Sequence, residues 1–172
     1  PDFRFNEIVK FVERGLEDFS ISRLKSKMPW GVPVPGDDEH VMYVWFDALV
    51  SYISTLGWPD NKETFNRFWV HGTPTQIAGK DNLRQQSAMW QAMLMSARLP
   101  NSHQVVIGGF INSGGQKMSK SLGNVISPYE LVEKYNTDAT RYLLLRHVHP
   151  TDDTDITWER LDEWYNANLA NG

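Results

Sequence analysis

Short apolar runs that alternate with helix-like patterns constrain this chain more than any other feature. Val41-Met42-Tyr43-Val44-Trp45-Phe46 is continuous, aromatic and β-branched, as expected of a strand buried on both faces of a parallel sheet. Asp47 then opens a helical pattern through Leu49, Tyr52, Ile53 and Leu56. Gln76-Ile77-Ala78 reads as a second strand, closed by Gly79. From Asp81 to Ala97 a helix is expected, with Leu83, Gln86, Trp90, Met93, Leu94 and Ala97 near one face. Val105-Val106-Ile107 gives a third strand. Strands and helices alternating at this spacing predict an α/β fold whose ligands lie beyond the carboxyl ends of the strands. Trp45 to Ala48 and Gly79 to Asp81 fall at such ends.

The flanking segments are less regular. Asn6 to Gly15 reads as a short amphipathic helix with Asn6 as N-cap and Gly15 as stop. Phe19 to Ser22 alternates like a strand. Pro29, Pro33, Pro35, Gly31 and Gly36 break Lys27 to Asp38 into an irregular connection. After Ile107 glycines and a Lys/Ser loop precede helical runs at Pro128 to Tyr135, Asp138 to Leu145 and Thr157 to Asn171, so a boundary is expected near residue 108. With 172 residues, 41% of them hydrophobic, the chain has the material for a real core. Its net charge of -4 argues against holding nucleic acid by bulk electrostatics, although a local basic loop is compatible with it. The absence of cysteine removes disulfides, thiolate nucleophiles and Cys-ligated zinc. No apolar run approaches the ~20 residues of a bilayer helix. The expectation is a soluble, cytoplasmic protein without a membrane partner. The start at Pro1 and the stop after a helical run read as a fragment.

Lys117-Met118-Ser119-Lys120-Ser121 carries the clearest chemistry. Two ammonium groups sit on a loop preceded by Gly114-Gly115 and followed by Leu122-Gly123-Asn124. Phosphate is their natural partner, because a positioned lysine stabilises charge that develops on phosphoryl oxygens. Ser119 and Ser121 add hydroxyl donors. A P-loop is excluded: Gly109 to Gly114 has its glycine spacing, but Gly115 and Gln116 follow in place of Lys and Ser/Thr. The dinucleotide fingerprint GxGxxG is absent too. His147-x-His149 lacks further ligands, so no metal site is expected within the chain.

KMSKS is the second signature of class I aminoacyl-tRNA synthetases, and the chain resembles their methionine-specific branch in several places. The matching strings are GLEDFSISR (Gly15 to Arg23), YVWFDAL (Tyr43 to Leu49), GKD (Gly79 to Asp81), AMWQAML (Ala88 to Leu94) and KMSKSLGNVI (Lys117 to Ile126). PYELVEKY (Pro128 to Tyr135) and DATRYLLLR (Asp138 to Arg146) complete the series. The resemblance implies the second half of a Rossmann-like, parallel-sheet catalytic domain over residues 1–107. Residues 108–172 would hold the KMSKS loop and a mainly helical stem-contact region, ending before an anticodon-binding domain. It implies ATP with Mg2+ as substrate, methionine, and the acceptor end of tRNA. Lys117 and Lys120 would hold the triphosphate as catalytic residues, Lys120 stabilising charge at the α-phosphate and Ser119 assisting. Gly79 and Asp81 would meet the ribose and Ile111 the adenine. Trp45, Ala48, Leu49, Tyr52, Asn82, Gln86 and Trp90 would line the methionine pocket, where aromatic rings favour a thioether sulfur. The other tryptophans, Trp30, Trp58, Trp69, Trp158 and Trp164, read as ordinary core.

Several positions depart from the family pattern. Gln86 stands where many members carry histidine, which keeps a hydrogen-bonding group and loses titration. Gly108-Gly109 replaces a His-Gly pair, Ser127 replaces part of an Asp-Pro pair, and Asn136 stands where glycine is common. The first family signature, HIGH, is absent, so these 172 residues alone are expected to show little or no activation. The alternatives are a related synthetase for leucine, isoleucine, valine or cysteine, and a non-catalytic module that binds tRNA or a protein.

Overall fold

The structure is a computed structural model that describes residues 1–171. It is a mixed α/β protein whose chain divides into two compact units, Pro1–Val106 and Ile107–Gly172. Among the described residues no helix is long and apolar enough to cross a membrane.

The first unit opens with α1 (Asp2–Glu13), which starts earlier than its sequence pattern, the Pro1 carbonyl accepting the Arg4 and Phe5 N–H at 3.0 and 3.3 Å. Three strands follow: β1 (Ser22–Leu24), β2 (Pro33–Val34) and β3 (Asp37–Met42). They form an antiparallel sheet in the order β1-β3-β2, with Arg23 opposite Val41. This corrects the expected parallel strand at Val41 to Phe46. Only Val41 of that run is fully buried, and α2 (Val44–Ser54) already begins at Val44. Packing explains the shift: Trp45 docks on the same core as Leu49 and Tyr52, which helical spacing alone allows, and this contact outweighs strand propensity. Tyr43 is the single joint between sheet and helix. Its N–H donates to the Ile21 carbonyl at 2.8 Å, and its own carbonyl accepts from Phe46 at 2.9 Å.

After α3 (Lys62–Phe65) and a π-type turn at Asn66–Val70, β4 (Thr75–Gly79) pairs with β5 (Gln104–Gly108). The expected long helix between them is divided. A 3-10 turn at Lys80–Asn82 and a π-type turn at Gln85–Met89 precede α4 (Trp90–Ser96). The widened turn leaves both Gln86 and Trp90 facing inward. The core joins Leu49, Ile53, Phe65, Trp69, Trp90 and Leu94, with Trp58 packed against it. Trp30 is a correction: it lies 79% exposed on the Pro/Gly-rich connection, where no element covers it.

In the second unit β6 (Ile111–Ser113) and β7 (Gln116–Lys117) form a hairpin, and β8 (Thr154–Asp155) pairs with β6 in parallel. Between them runs α5 (Pro128–His147), interrupted at Asn136, where φ is 63°. Its start carries a capping box: the Tyr129 N–H donates to the Ser127 hydroxyl and the Ser127 N–H to Glu130. At the interruption the Asn136 side chain accepts the Ala139 N–H at 3.0 Å and caps the second half. The last helix, α6 (Trp158–Tyr165), runs into a π-type turn at Asn166–Ala170. It packs on α5 through Leu131, Tyr135, Leu143 and Leu161, with Trp158 and Trp164 half-buried beside them. Lys134 at 2.7 Å and the Tyr135 hydroxyl at 2.6 Å converge on Asp162 and hold its carboxyl below the usual range.

Candidate functional site

The residues read as a methionine pocket come from two segments of the first unit. On α2, Trp45, Leu49 and Tyr52 recur at helical spacing and make one stripe toward the core, whereas Ala48 is exposed. From the opposite side, Gln86 on the π-type turn and Trp90 at the start of α4 reach the same place. The Gln86 side-chain amide donates to the Tyr52 hydroxyl at 2.9 Å. The Tyr52 and Trp90 rings lie 5.9 Å apart at 55°, and Trp90 meets Trp69 edge-on at 6.0 Å. Leu49 and Trp90 are each 1% exposed and belong to the buried core. Gln86 is 3% exposed, and its carbonyl oxygen and the Trp90 indole N–H are both buried without a partner. A buried open acceptor and donor cost free energy unless a ligand or water completes them.

Asp81 and Asn82 lie on the 3-10 turn that leads into this cluster, not within its aromatic core. Gly79 ends β4, and a Cβ there would stand 2.8 Å from the Asp81 carboxylate. Glycine therefore lets that carboxylate fold back over the chain at the carboxyl end of the strand.

The second unit carries the lysine loop. Gly114 and Gly115 have φ of +64° and +74°, the two-residue turn geometry that joins twisted strands, and Lys117 ends the hairpin. The Lys117 ammonium rests 4.2 Å above the Phe110 ring. Lys120 is exposed and Ser119 half-buried, with the Ser119 and Ser121 hydroxyls 2.7 Å apart. Ile111 is 41% exposed, an apolar surface beside the hairpin. Gly109 cannot carry a side chain, since a Cβ would lie 2.1 Å from the Asp152 carbonyl oxygen.

Two residues that the sequence reading did not single out hold this loop. Asn124 accepts the Ser119 N–H at 2.8 Å and donates to the Lys117 and Ser113 carbonyls at 3.3 and 3.4 Å, closing the base of the loop. Asp155 accepts the Gly115 N–H at 2.7 Å. Asn124 had a signal, an amide side chain next to a glycine that ends a loop. Asp155 had none, because its partner is a main-chain group on a distant segment. Among the described residues no three His, Asp or Glu side chains gather as a metal-binding group.

The chain is similar to known proteins along nearly its whole length. Residues 2–172 match the family model for tRNA synthetases class I (M). The Methionine--tRNA ligase of Brucella suis is 48% identical over 171 residues, 99% of this chain and 32% of that protein. That of Thermotoga maritima is 46% identical and is covered over 27% of its length. The Mycobacterium tuberculosis methionyl-tRNA synthetase in complex with methionyl-adenylate superposes with a TM-score of 0.90 at 41% identity, over 99% of this chain and 33% of that one. Its apo form gives 0.83 at 37% identity. The chain thus spans about a third of the relatives it matches, and within that span the match is continuous. It belongs to the class I (M) family of tRNA synthetases.

Proposed function

We propose that this chain is part of a methionine–tRNA ligase: it contributes to ATP-dependent activation of methionine and to transfer of the methionyl group to tRNA. The observation that carries the reading is the meeting of Tyr52, Gln86 and Trp90. Tyr52 and Gln86 stand 34 residues apart in sequence, yet share a partly buried hydrogen bond, and the Tyr52 ring meets that of Trp90. A flexible, polarisable thioether gains from such rings. The open Trp90 indole N–H is a donor that a thioether sulfur, a weak acceptor, can meet and a branched aliphatic side chain cannot.

In the activation step a methionine carboxylate oxygen bonds to the α-phosphorus of ATP. The bond from that phosphorus to the bridging oxygen breaks, and pyrophosphate leaves. ATP enters as its Mg2+ complex, with the ion belonging to the substrate. Lys117 and Lys120 offer positive charge to the triphosphate, Lys120 at the α-phosphate and Ser119 as an auxiliary donor. Gly79 and Asp81 take the ribose and Ile111 the adenine, while Trp45, Ala48, Leu49 and Asn82 complete the amino-acid pocket. In the transfer step a hydroxyl of the terminal adenosine of tRNA attacks the methionyl carbonyl and AMP leaves. Residues 1–107 are read as the second half of the catalytic domain, and residues 108–172 as the loop and stem-contact region. The partners are an amino-terminal catalytic half and an anticodon-binding domain.

The test replaces the 48%-identical stretch of the Brucella suis ligase with this chain and measures ATP–pyrophosphate exchange. Methionine should drive exchange, and leucine, isoleucine, valine and cysteine should not. Lys120→Ala should lower the rate about 100-fold or more, as loss of one preorganised donor does. Preference for another amino acid, or an unaltered rate in Lys120→Ala, overturns the reading.

A further inference from the structure

The hairpin that ends in Lys117 is tied at its tip by a residue from outside the motif. In a two-residue turn with both central residues at positive φ, the strand ladder uses the groups flanking the turn and leaves the N–H of the second central residue over. That residue is Gly115, and its N–H donates to the Asp155 carboxylate at 2.7 Å, a short, charge-assisted hydrogen bond. The strands lie in the order β7-β6-β8, with Asn112 paired to Lys117 on one side and to Asp155 on the other. The Asp155 side chain therefore reaches past the middle strand to the tip of the hairpin and stitches together segments that share no ladder. The other partner of Asp155 is Arg160, whose guanidinium donates to the Asp155 carbonyl at 2.8 Å and stands 3.5 Å from the carboxylate. Arg160 is half exposed, and exposed pairs of this kind contribute little.

We propose that Asp155 is a positioning residue for Lys117, acting through the main chain of Gly115. The inference rests on the reading that Lys117 meets the triphosphate. Glycines at 114, 115 and 123 give the loop conformational freedom at both ends. Asn124 fixes the base of the loop, and Asp155 fixes the hairpin from which Lys117 projects. A charge meant to meet a developing phosphoryl charge gains from such fixing, since a misplacement of about 1 Å can cost 100-fold in rate.

The test uses the nitrogen-15-labelled chain and reads two local signals. One is exchange of the Gly115 amide proton. The other is the ring-current shift of the Lys117 side-chain methylenes, which report the ammonium's place over Phe110. Asp155→Ala should accelerate Gly115 exchange about tenfold or more and reduce the Lys117 ring-current shift. Asp155→Asn keeps an acceptor oxygen, and Arg160→Gln removes the exposed pair and the bond to the Asp155 carbonyl but leaves the carboxylate on Gly115, so both should keep the two signals near wild type. The rescue by asparagine separates positioning from a general loss of folding. An unchanged Lys117 shift in Asp155→Ala overturns the proposal, as does an Arg160→Gln variant that reproduces the alanine result. A titration of the wild-type chain with inorganic tripolyphosphate separates the underlying reading. Movement of the Lys117 and Lys120 signals supports it. If they stay still while the clamp results hold, the phosphate reading fails and takes the purpose assigned to Asp155 with it.

Discussion

Gln86 is a buried amide whose two ends are treated differently: its N–H donates to Tyr52, and its carbonyl oxygen is without a partner. That asymmetry makes the pair testable without any substrate. Tyr52→Phe removes the acceptor and strands a second polar group at a position 3% exposed, at a cost of about 1–3 kcal/mol. Gln86→Leu removes both polar atoms of the amide together and leaves a half-buried hydroxyl that water can reach, so it should cost less. The double variant should be more stable than Tyr52→Phe alone. Urea unfolding midpoints check the order, and equal losses in the two single variants would contradict it. Tyr52, Gln86 and Trp90 were marked in the sequence by the family resemblance, and the structure brings the three side chains together. The hydrogen bond between Tyr52 and Gln86 was not legible there, since it depends on where two separate segments are brought together.

Helix α5 shows how one residue sets an element. Asn136 adopts a φ of 63° and uses its side chain to cap the half that follows. Its ψ of 173° puts Asn136 in a region open chiefly to glycine, so alanine keeps the strain and loses the cap, at a cost of about 1 kcal/mol. Glycine loses the cap but relieves the strain, so Asn136→Gly should be at least as stable as wild type and more stable than Asn136→Ala. Thermal unfolding of the two variants checks this order. The contact between α5 and α6 also sets an acid profile. His147 stacks on Trp164 at 4.3 Å with its Nε2 buried and unpartnered, and burial, aided by Arg146, holds its pKa below the ordinary 6.5. The unfolded chain therefore takes up this proton first, and stability falls as pH drops below about 6.5 toward the folded value. Asp162, held below 3.8 by Lys134 and Tyr135, contributes stability above that value, lost as pH falls through its folded pKa. His147→Phe should remove the upper step and leave the lower one; Asp162→Asn should leave the upper step and shrink the lower one, to which Asp37 and Glu159, also held below their usual values, contribute. Stability measured across pH 3 to 8 distinguishes them. The two halves of α5 could be read from periodicity, whereas Val41 to Phe46 could not. There the same residues satisfy a strand and a helix pattern, and only the packing of Trp45 on the core decides.

At the scale of the molecule, the family was legible because it resides in strings, while the supports of those strings were not. Lys117 and Lys120, proposed to meet phosphate, stand in one such string. Asp155 and the close approach of Gly109 to Asp152 depend on how β8 returns beside β6, a long-range pairing with no local signature. The same division bears on activity. The positive groups assigned to the triphosphate within these 172 residues are the two loop lysines, and no HIGH string supplies further donors. Loss of one preorganised donor costs about 2.7–4 kcal/mol in a transition state, so losing a full set should remove measurable turnover. Taken alone, the 172 residues should therefore show no methionine-dependent ATP–pyrophosphate exchange above a Lys120→Ala blank. The same segment seated in the Brucella suis ligase should support it. Exchange by the segment alone that is selective for methionine and abolished in Lys120→Ala would mean that the lysine loop and the Tyr52–Gln86–Trp90 pocket suffice for activation. The donors supplied elsewhere would then serve rate rather than chemistry.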